Sequence, residues 1–414
     1  MKIALIIHEL LVEGGGERQC VCLARALAKL GHDVTLWTSA YDPSNCFPEI
    51  CKSFRIEEIG RGLLPWLQRP RFIRGYLDMV RLARVVEEGS EVWNPHHWPA
   101  QWAAVWLKPK LGGATLWMCN DVPDFYCKSR DRERTGILSA AAHRLYYAYD
   151  RRQNRKIDLT MFLSNWAENE FKAIYPGRSR VVRSGMDPAS FTPGGDRSGI
   201  RARFGYAEDE FVLFWLGIFM PHRRLEDAIA TMNLAASRGQ KVRLLLAGSG
   251  RSHPQYLERL KSLVRTLGVD HLVTFAGKVA DEEIRDFYAA CDAFLFPNDQ
   301  QTWGLAVLEA MACGCPVLVS TGAGVHEVLT DQVNAALFPP RNPEALAAKI
   351  ETLISQPQLR RKIAQNGMRL ARETYNWDRF AREVAAICGE LGAFQDADSA
   401  VPESLTSDGS GVRQ

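Results

Sequence analysis

The chain has no long apolar run, little net charge and no paired cysteine knuckles. A membrane-spanning helix needs roughly 20 consecutive apolar residues, and no stretch approaches that length. The opening run from Met1 to His8 is too short for a secretory leader and reads as a first strand. A formal charge of +3 over 414 residues gives no support for a nucleic-acid-binding surface. The ten cysteines are scattered, and the closest pairs, Cys20/Cys22 and Cys313/Cys315, have one residue between them. That spacing argues against a structural zinc, and the thiols read as buried groups of a reducing compartment. A nicotinamide fingerprint is missing too. Gly14 and Gly16 are followed by Gln19 where a third glycine belongs, and the next strand ends in Thr38-Ser39 with no acid for a ribose.

What is present is length and alternation. A chain of this size exceeds one ordinary core and predicts two domains. Ile3 to His8 reads as a strand, Leu10 to Gly16 as a glycine loop, Glu17 to Leu30 as a helix and Val34 to Thr38 as a strand. The same alternation restarts at Phe211, and the Pro/Gly-rich run Ser184 to Gly195 marks a linker. Regular strand–helix alternation in both halves predicts two doubly wound parallel sheets. The expected boundaries are 1–192, 193–376, a crossing helix at 377–392 and a disordered tail at 393–414.

The stretch from Phe294 to Leu329 organises the second half. A strand ends at Pro297, a polar loop follows, and a helix opens near Gly304 with Leu305, Val307, Leu308 and Met311 inward. Ligands of such sheets sit beyond the carboxyl ends of the strands. Free N–H groups near Gly304 and Leu305 suit a phosphate, and Glu309 can reach a sugar hydroxyl. The plainer alternative is one more strand–helix unit with Glu309 in solvent.

These residues resemble the signature of the retaining glycosyltransferases of family 4, which have the GT-B fold. Gly304, Leu305, Glu309, Ala310, Met311, Ala312, Gly314, Pro316 and Val317 match it, and Gln301 departs from it at the first acid of Glu-x7-Glu. The resemblance implies an α/β GT-B architecture, two Rossmann-like domains with a cleft between them. It implies donor contacts at Gly15, Gly16, Gly248, Val279, Gly304, Leu305 and Glu309. Relatives carry an arginine where this chain has Ile218 and a lysine about where Arg223 falls. Cations at the first turn of a helix oppose its dipole, so Arg223 and Arg224 are expected to meet a diphosphate.

A histidine of the family stands about where Asn120 does. The resemblance therefore makes Asn120 a catalytic candidate, with His96, His97 and Asp121 on the acceptor side. The pair His96/His97 also reads as ordinary surface or capping residues. Trp37 to Glu49 and the preceding Gly-Gly-x-Glu-Arg resemble the eukaryotic mannosyltransferase that extends the dolichol-linked oligosaccharide. That similarity implies GDP-mannose as donor and a lipid-linked or saccharide acceptor. Two basic runs interleaved with aromatics, Arg61 to Arg84 and Lys128 to Lys156, suit an anionic membrane surface or solvated helix faces. The implied location is the cytoplasm, with membrane contact at its inner face.

An amide at position 301 cannot act as the carboxylate nucleophile of a double displacement. A front-face route fits better. The C1–O bond breaks through an oxocarbenium-like state, and cations and N–H groups stabilise the leaving diphosphate. Catalytic roles are expected for Arg223, Arg224 and Gln301 with Asn120, and neither a metal nor another cofactor is expected. Two alternatives stay open: an inactive sugar-nucleotide-binding protein, and a sugar epimerase on the same architecture.

Overall fold

The computed structural model describes residues 1–11, 14–60, 71–120 and 137–399. The first lobe runs β1 (Lys2–Leu10), α1 (Gly15–Lys29), β2 (Asp33–Tyr41), α2 (Pro48–Cys51), β3 (Arg55–Glu58), α3 (Arg71–Val85) and β4 (Val92–His96). It continues through α4 (Ala100–Leu111), β5 (Ala114–Met118), α5 (Ile137–Asn154), β6 (Leu159–Phe162), α6 (Asn165–Lys172) and β7 (Ser179–Val181). The second lobe runs α7 (Arg197–Phe204), β8 (Phe211–Leu216), α8 (Leu225–Ser237), β9 (Val242–Ala247), α9 (Pro254–Thr266), β10 (Val273–Gly277) and α10 (Ile284–Ala290). After β11 (Ala293–Phe296), α11 (Leu305–Ala312), β12 (Val317–Ser320) and β13 (Ala336–Phe338) come three helices. These are α12 (Pro343–Ser355), α13 (Pro357–Arg369) and α14 (Trp377–Ser399).

Among the described residues the strands form two parallel sheets, ordered β3-β2-β1-β4-β5-β6-β7 and β10-β9-β8-β11-β12-β13. The order reverses between β1 and β4 in one and between β8 and β11 in the other. A crevice opens outside the strand ends at each of these switch points.

Both faces of the central strands are covered, which is why they read as unbroken apolar runs. In β1, Ile3, Leu5 and Ile7 enter one core while Ala4 and Ile6 enter another. In β8, Val212 and Phe214 face one side and Phe211, Leu213 and Trp215 the other. Each buried Val, Leu, Ile or Phe among them contributes about 1.5–3 kcal/mol of transfer free energy.

The lobes touch at defined points. The Glu327 carboxylate accepts the N–H groups of Asn165 and Trp166 at 2.9 and 2.8 Å, capping α6, and pairs with Arg183 at 3.0 Å. Helix α14 packs against α1, β4 and β5 of the first lobe. The expected disordered tail is corrected in part, because α14 continues to Ser399. No proline or glycine interrupts the chain between Ala393 and Ser399, and Pro402 is the first later breaker. The remainder of the expected tail, 400–414, lies outside the described residues. So do 61–70 and 121–136, which hold much of the two basic, aromatic stretches. In α3, Tyr76 and Leu77 are exposed, while Arg81 donates to the Gly60 carbonyl at 3.0 Å. No helix among the described residues is long and apolar enough to cross a membrane.

Candidate functional site

The two crevices face each other across one cavity of ≈ 700 Å³. From the first lobe it is lined by Gly15, Gly16, His97 and Asn120 of the expected set. From the second come Arg223, Gly248, Val279, Gln301, Gly304, Leu305 and Glu309. In sequence these residues run from Gly15 to Glu309, and the fold gathers them.

Gly304 is the N-cap of α11 and offers no side-chain cap. The opening N–H groups of the helix are thus available to an anion. A Cβ at Gly304 would lie 2.9 Å from Val325 Cγ1 and 3.1 Å from Phe296 Cε1. Glycine is required there by packing as well as by access.

Glu309 lies deeper on the same helix and is 7% exposed, so it is not the solvated residue of the plainer reading. Its carboxylate has Arg18 Nη1 at 3.9 Å and Tyr288 Oη at 3.5 Å. Burial raises its pKa; the Arg18 guanidinium opposes that shift, and the Asp281 carboxylate reinforces it. A raised folded pKa means the native protein holds a proton that the unfolded chain has already released. The Glu309 contribution to stability is therefore fully present below the ordinary carboxylate range and is lost as pH rises through the folded value. Glu309→Gln should consequently melt higher than the parent at neutral pH, with the gap closing on acidification, while sugar-nucleotide affinity falls. Melting curves across the acidic range test this, and parallel curves for the two proteins would refute it.

Arg223 ends a 3₁₀ turn, Pro221–Arg223, and its Nη1 donates to Gln301 Oε1. The Gln301 backbone is clamped: its N–H donates to Gly322 O at 3.3 Å and its C=O accepts from Gly324 at 2.7 Å. Arg224 requires a correction. It sits at φ +51 as the N-cap of α8, and its guanidinium is taken by Asp227 at 2.9 and 2.6 Å and by Glu226 at 3.3 Å. It is absent from the cavity wall. The two acids of the first turn meet the helix dipole themselves, so the adjacent cation needs no external anion.

His96 is also corrected. It belongs to β4 rather than to a loop, is fully buried, and pairs through Nε2 with Asn94 Oδ1 at 3.1 Å. Burial, then the neighbouring His97, pushes its pKa down to about 3, so the ring stays neutral and structural. His97, at φ +61, turns the opposite way into the cavity. A Cβ on Gly16 would stand 2.0 Å from the His97 ring, which explains a glycine at that point of α1. Asn120 is 4% exposed, and neither amide atom has a hydrogen-bond partner among the described residues. Such a group is costly to bury without a partner, and this one lines the cavity. Asp121 lies outside the described residues.

Several lining residues escaped the sequence reading. Arg18 crosses from α1 to Asp281 of the second lobe at 2.6 Å, with its guanidinium 5.2 Å from the Phe47 ring centroid. Burial and the Glu309 and Asp281 carboxylates compete over it, and the carboxylates win, keeping it charged. Lys278 lines the cavity just beyond the carboxyl end of β10. The rule that ligands sit beyond the carboxyl ends of parallel strands, applied to β10, would have found it.

Comparison with known proteins matches this division of the chain. The family model described as Glycosyltransferase Family 4 covers residues 13–190, and that described as Glycosyl transferases group 1 covers residues 196–370. An uncharacterized glycosyltransferase of Methanocaldococcus jannaschii is 25% identical over 395 residues, 94% of this chain and 97% of its own. Mannosylfructose-phosphate synthase of Agrobacterium fabrum is 25% identical over 402 residues, 92% of this chain and 88% of its own. The solved sucrose-phosphate synthase of Thermosynechococcus elongatus shares the fold at a TM-score of 0.78 and 22% identity, over 95% of this chain and 99% of its own. The architecture is GT-B: two Rossmann-like α/β domains about a cleft.

Proposed function

Because the first lobe matches the Glycosyltransferase Family 4 model and the second the Glycosyl transferases group 1 model, we propose that the chain is a family 4 glycosyltransferase that moves mannose from GDP-mannose to a saccharide or lipid-linked acceptor with retention. The observation that carries the reading is the second-lobe wall of the cleft. There the uncapped start of α11, Arg223 and Lys278 stand opposite the glycine turn of α1. A diphosphate bound at this wall has its charge met by guanidinium, ammonium and backbone N–H groups, so no metal ion is required for that task. In this reading Glu309 receives the nucleotide ribose and Gln301 the donor sugar hydroxyls, a pairing supported by the presence of both in the cavity wall.

The transfer proceeds on one face of the sugar. The C1–O bond breaks, its electron pair leaves with the diphosphate, and the acceptor oxygen bonds to C1. The acceptor proton passes to a phosphate oxygen. Gln301, an amide tied to Arg223, takes no covalent part. The mannose assignment is supported by the resemblance of the Trp37 to Glu49 region and by the mannosyl name of the Agrobacterium relative. Contact with an anionic membrane at the cytoplasmic face is proposed for the α3 side of the first lobe, where Tyr76 and Leu77 are exposed.

A binding protein without turnover is the second reading, favoured by Ile218, which lines the cavity where relatives place an arginine. A thermal-shift panel of sugar nucleotides, run beside a turnover assay, separates the readings. A ligand at 100 Kd stabilises by about 2.7 kcal/mol. GDP-mannose is expected to give the largest rise in Tm, with release of GDP. A larger rise with a UDP-sugar overturns the donor, binding without transfer or hydrolysis favours the second reading, and an epimerised product seen by NMR overturns transfer.

A further inference from the structure

One polar cluster on the first-lobe wall is left unused by the transfer chemistry above. His8, near the carboxyl end of β1, lines the cavity and bonds through Nε2 to Asp78 Oδ2 at 2.9 Å. Asp78 is 6% exposed, on α3. Helix α3 reaches this close because position 75 is glycine: a Cβ there would lie 3.0 Å from Pro99 Cγ and 3.8 Å from His8 Cε1. Behind the pair, Arg74 binds Glu9 and stands 3.8 Å from Asp78. His8, Glu9 and Asp78 bring three ligand atoms within 4.8 Å of one another, as a metal site would. Arg74 pairs with Glu9 and stands beside Asp78, so one guanidinium answers two carboxylates and the cluster facing the cavity stays net negative.

The pair has a defined polarity. An ionised carboxylate only accepts, so in the neutral ring the proton sits on Nε2 and Nδ1 carries a lone pair. Nδ1 has no hydrogen-bond partner among the described residues, on a ring that faces the cavity. The wall thus offers a fixed hydrogen-bond acceptor, next to the Glu9 carboxylate and the Trp98 side chain, which also line the cavity. Hydroxyl groups suit such a wall, and a phosphate does not, because acceptors and a carboxylate repel it.

We propose that His8, positioned by Asp78, is the acceptor-orienting residue of this chain: its Nδ1 takes the hydrogen bond of a non-reacting hydroxyl of a neutral saccharide. The inference rests on the glycosyl-transfer reading. No proton leaves the hydroxyl held by His8; it fixes the ring so that a neighbouring hydroxyl meets C1.

The test uses the full chain, the sugar nucleotide that wild type turns over, and methyl glycosides of mannose, glucose and galactose as acceptor probes. Hydrolysis of the same donor by water is measured alongside. His8→Leu keeps the bulk and removes the acceptor atom, and should lower the ratio of transfer to hydrolysis about tenfold, the scale of one lost hydrogen bond. The donor KM should stay within about twofold, since no donor contact is lost. His8→Asn places an amide oxygen about where Nδ1 stood and should restore part of the ratio. Asp78→Asn, which can donate to Nε2 and move the ring proton to Nδ1, should fall between. Transfer and hydrolysis reduced in equal proportion would mark a structural residue and overturn the proposal. So would an unchanged ratio, or a wild type that hydrolyses its donor yet glycosylates none of the probes. A wild type that turns over no sugar nucleotide defeats the transfer reading first, and this one with it.

Discussion

Arg223→Ala is expected to lower kcat/KM by about 10²–10³, or about 3–4 kcal/mol at the transition state, the scale of removing a preorganised partner of a developing negative charge. Charge grows on the diphosphate as the C1–O bond breaks, and a cation inside the cleft is worth more there than in water. Arg223 is such a cation, and it also holds the Gln301 side chain. Its loss frees that amide to rotate while the Gln301 backbone stays clamped between Gly322 and Gly324. Lys278 remains, so the effect falls short of complete inactivation. Arg224→Ala is the matched control. It deletes a guanidinium one residue away whose hydrogen bonds go to Asp227 and Glu226, and should leave kcat/KM within about threefold while lowering stability by about 1 kcal/mol. Steady-state kinetics with melting curves for both variants decide the matter. Equal losses of activity would place the diphosphate elsewhere.

The contrast between these arginines shows what a sequence conveys and where it stops. The wall built on α11 was legible because strand, polar loop, helix and strand are contiguous between Ala293 and Ser320. Apolar spacing alone orients Leu308 and Met311 inward, and the parallel crossover then puts Gly304 at the mouth. The glycine turn and Gly248 at the end of β9 came from the family resemblance, and both lie at the edge where such sheets gather ligands. Arg223 against Arg224 and His96 against His97 were not separable in this way. Each pair contains a residue in the left-handed region, Arg224 at φ +51 and His97 at φ +61. Neither residue type announces that conformation, and the reversal sends neighbours to opposite sides. Arg18 with Asp281 and His8 with Asp78 were hidden for a different reason. They lie 263 and 70 positions apart, and only the docking of separate elements brings them together. Asp78 falls within a basic, aromatic run whose composition suggested a surface, whereas the residue is buried.

Gly248→Ala is expected to cost more stability than any other single methyl addition at the cleft rim, and to weaken donor binding with it. Gly248 has φ +139, where strain alone costs a non-glycine residue about 1–3 kcal/mol. The larger cost is steric. A Cβ would lie 1.7 Å from the Gly217 carbonyl oxygen and 2.7 Å from its carbon. The obstacle is backbone, so no rotamer change relieves it. Nor can the strand ends drift apart freely: Gly217 N–H donates to Ala247 O at 3.1 Å and Gly248 N–H to Gly277 O at 2.7 Å, stitching β8, β9 and β10 together. Relief must come from displacing the segment after β8, which carries Ile218, His222 and Arg223 into the cavity. Strain and displacement together should lower Tm by on the order of 10 °C, given about 2–4 °C per kcal/mol for a lobe of this size. Gly268→Ala separates the contributions. Its φ is +67, and an added Cβ meets nothing within 4 Å, so it carries only the strain of the ordinary left-handed region and should leave donor affinity untouched. Melting curves and donor titrations of the two variants are the measurement. Should Gly248→Ala melt with Gly268→Ala and bind donor as the parent does, the segment leading to Arg223 yields at little cost, and the tight rim argued from these distances is wrong.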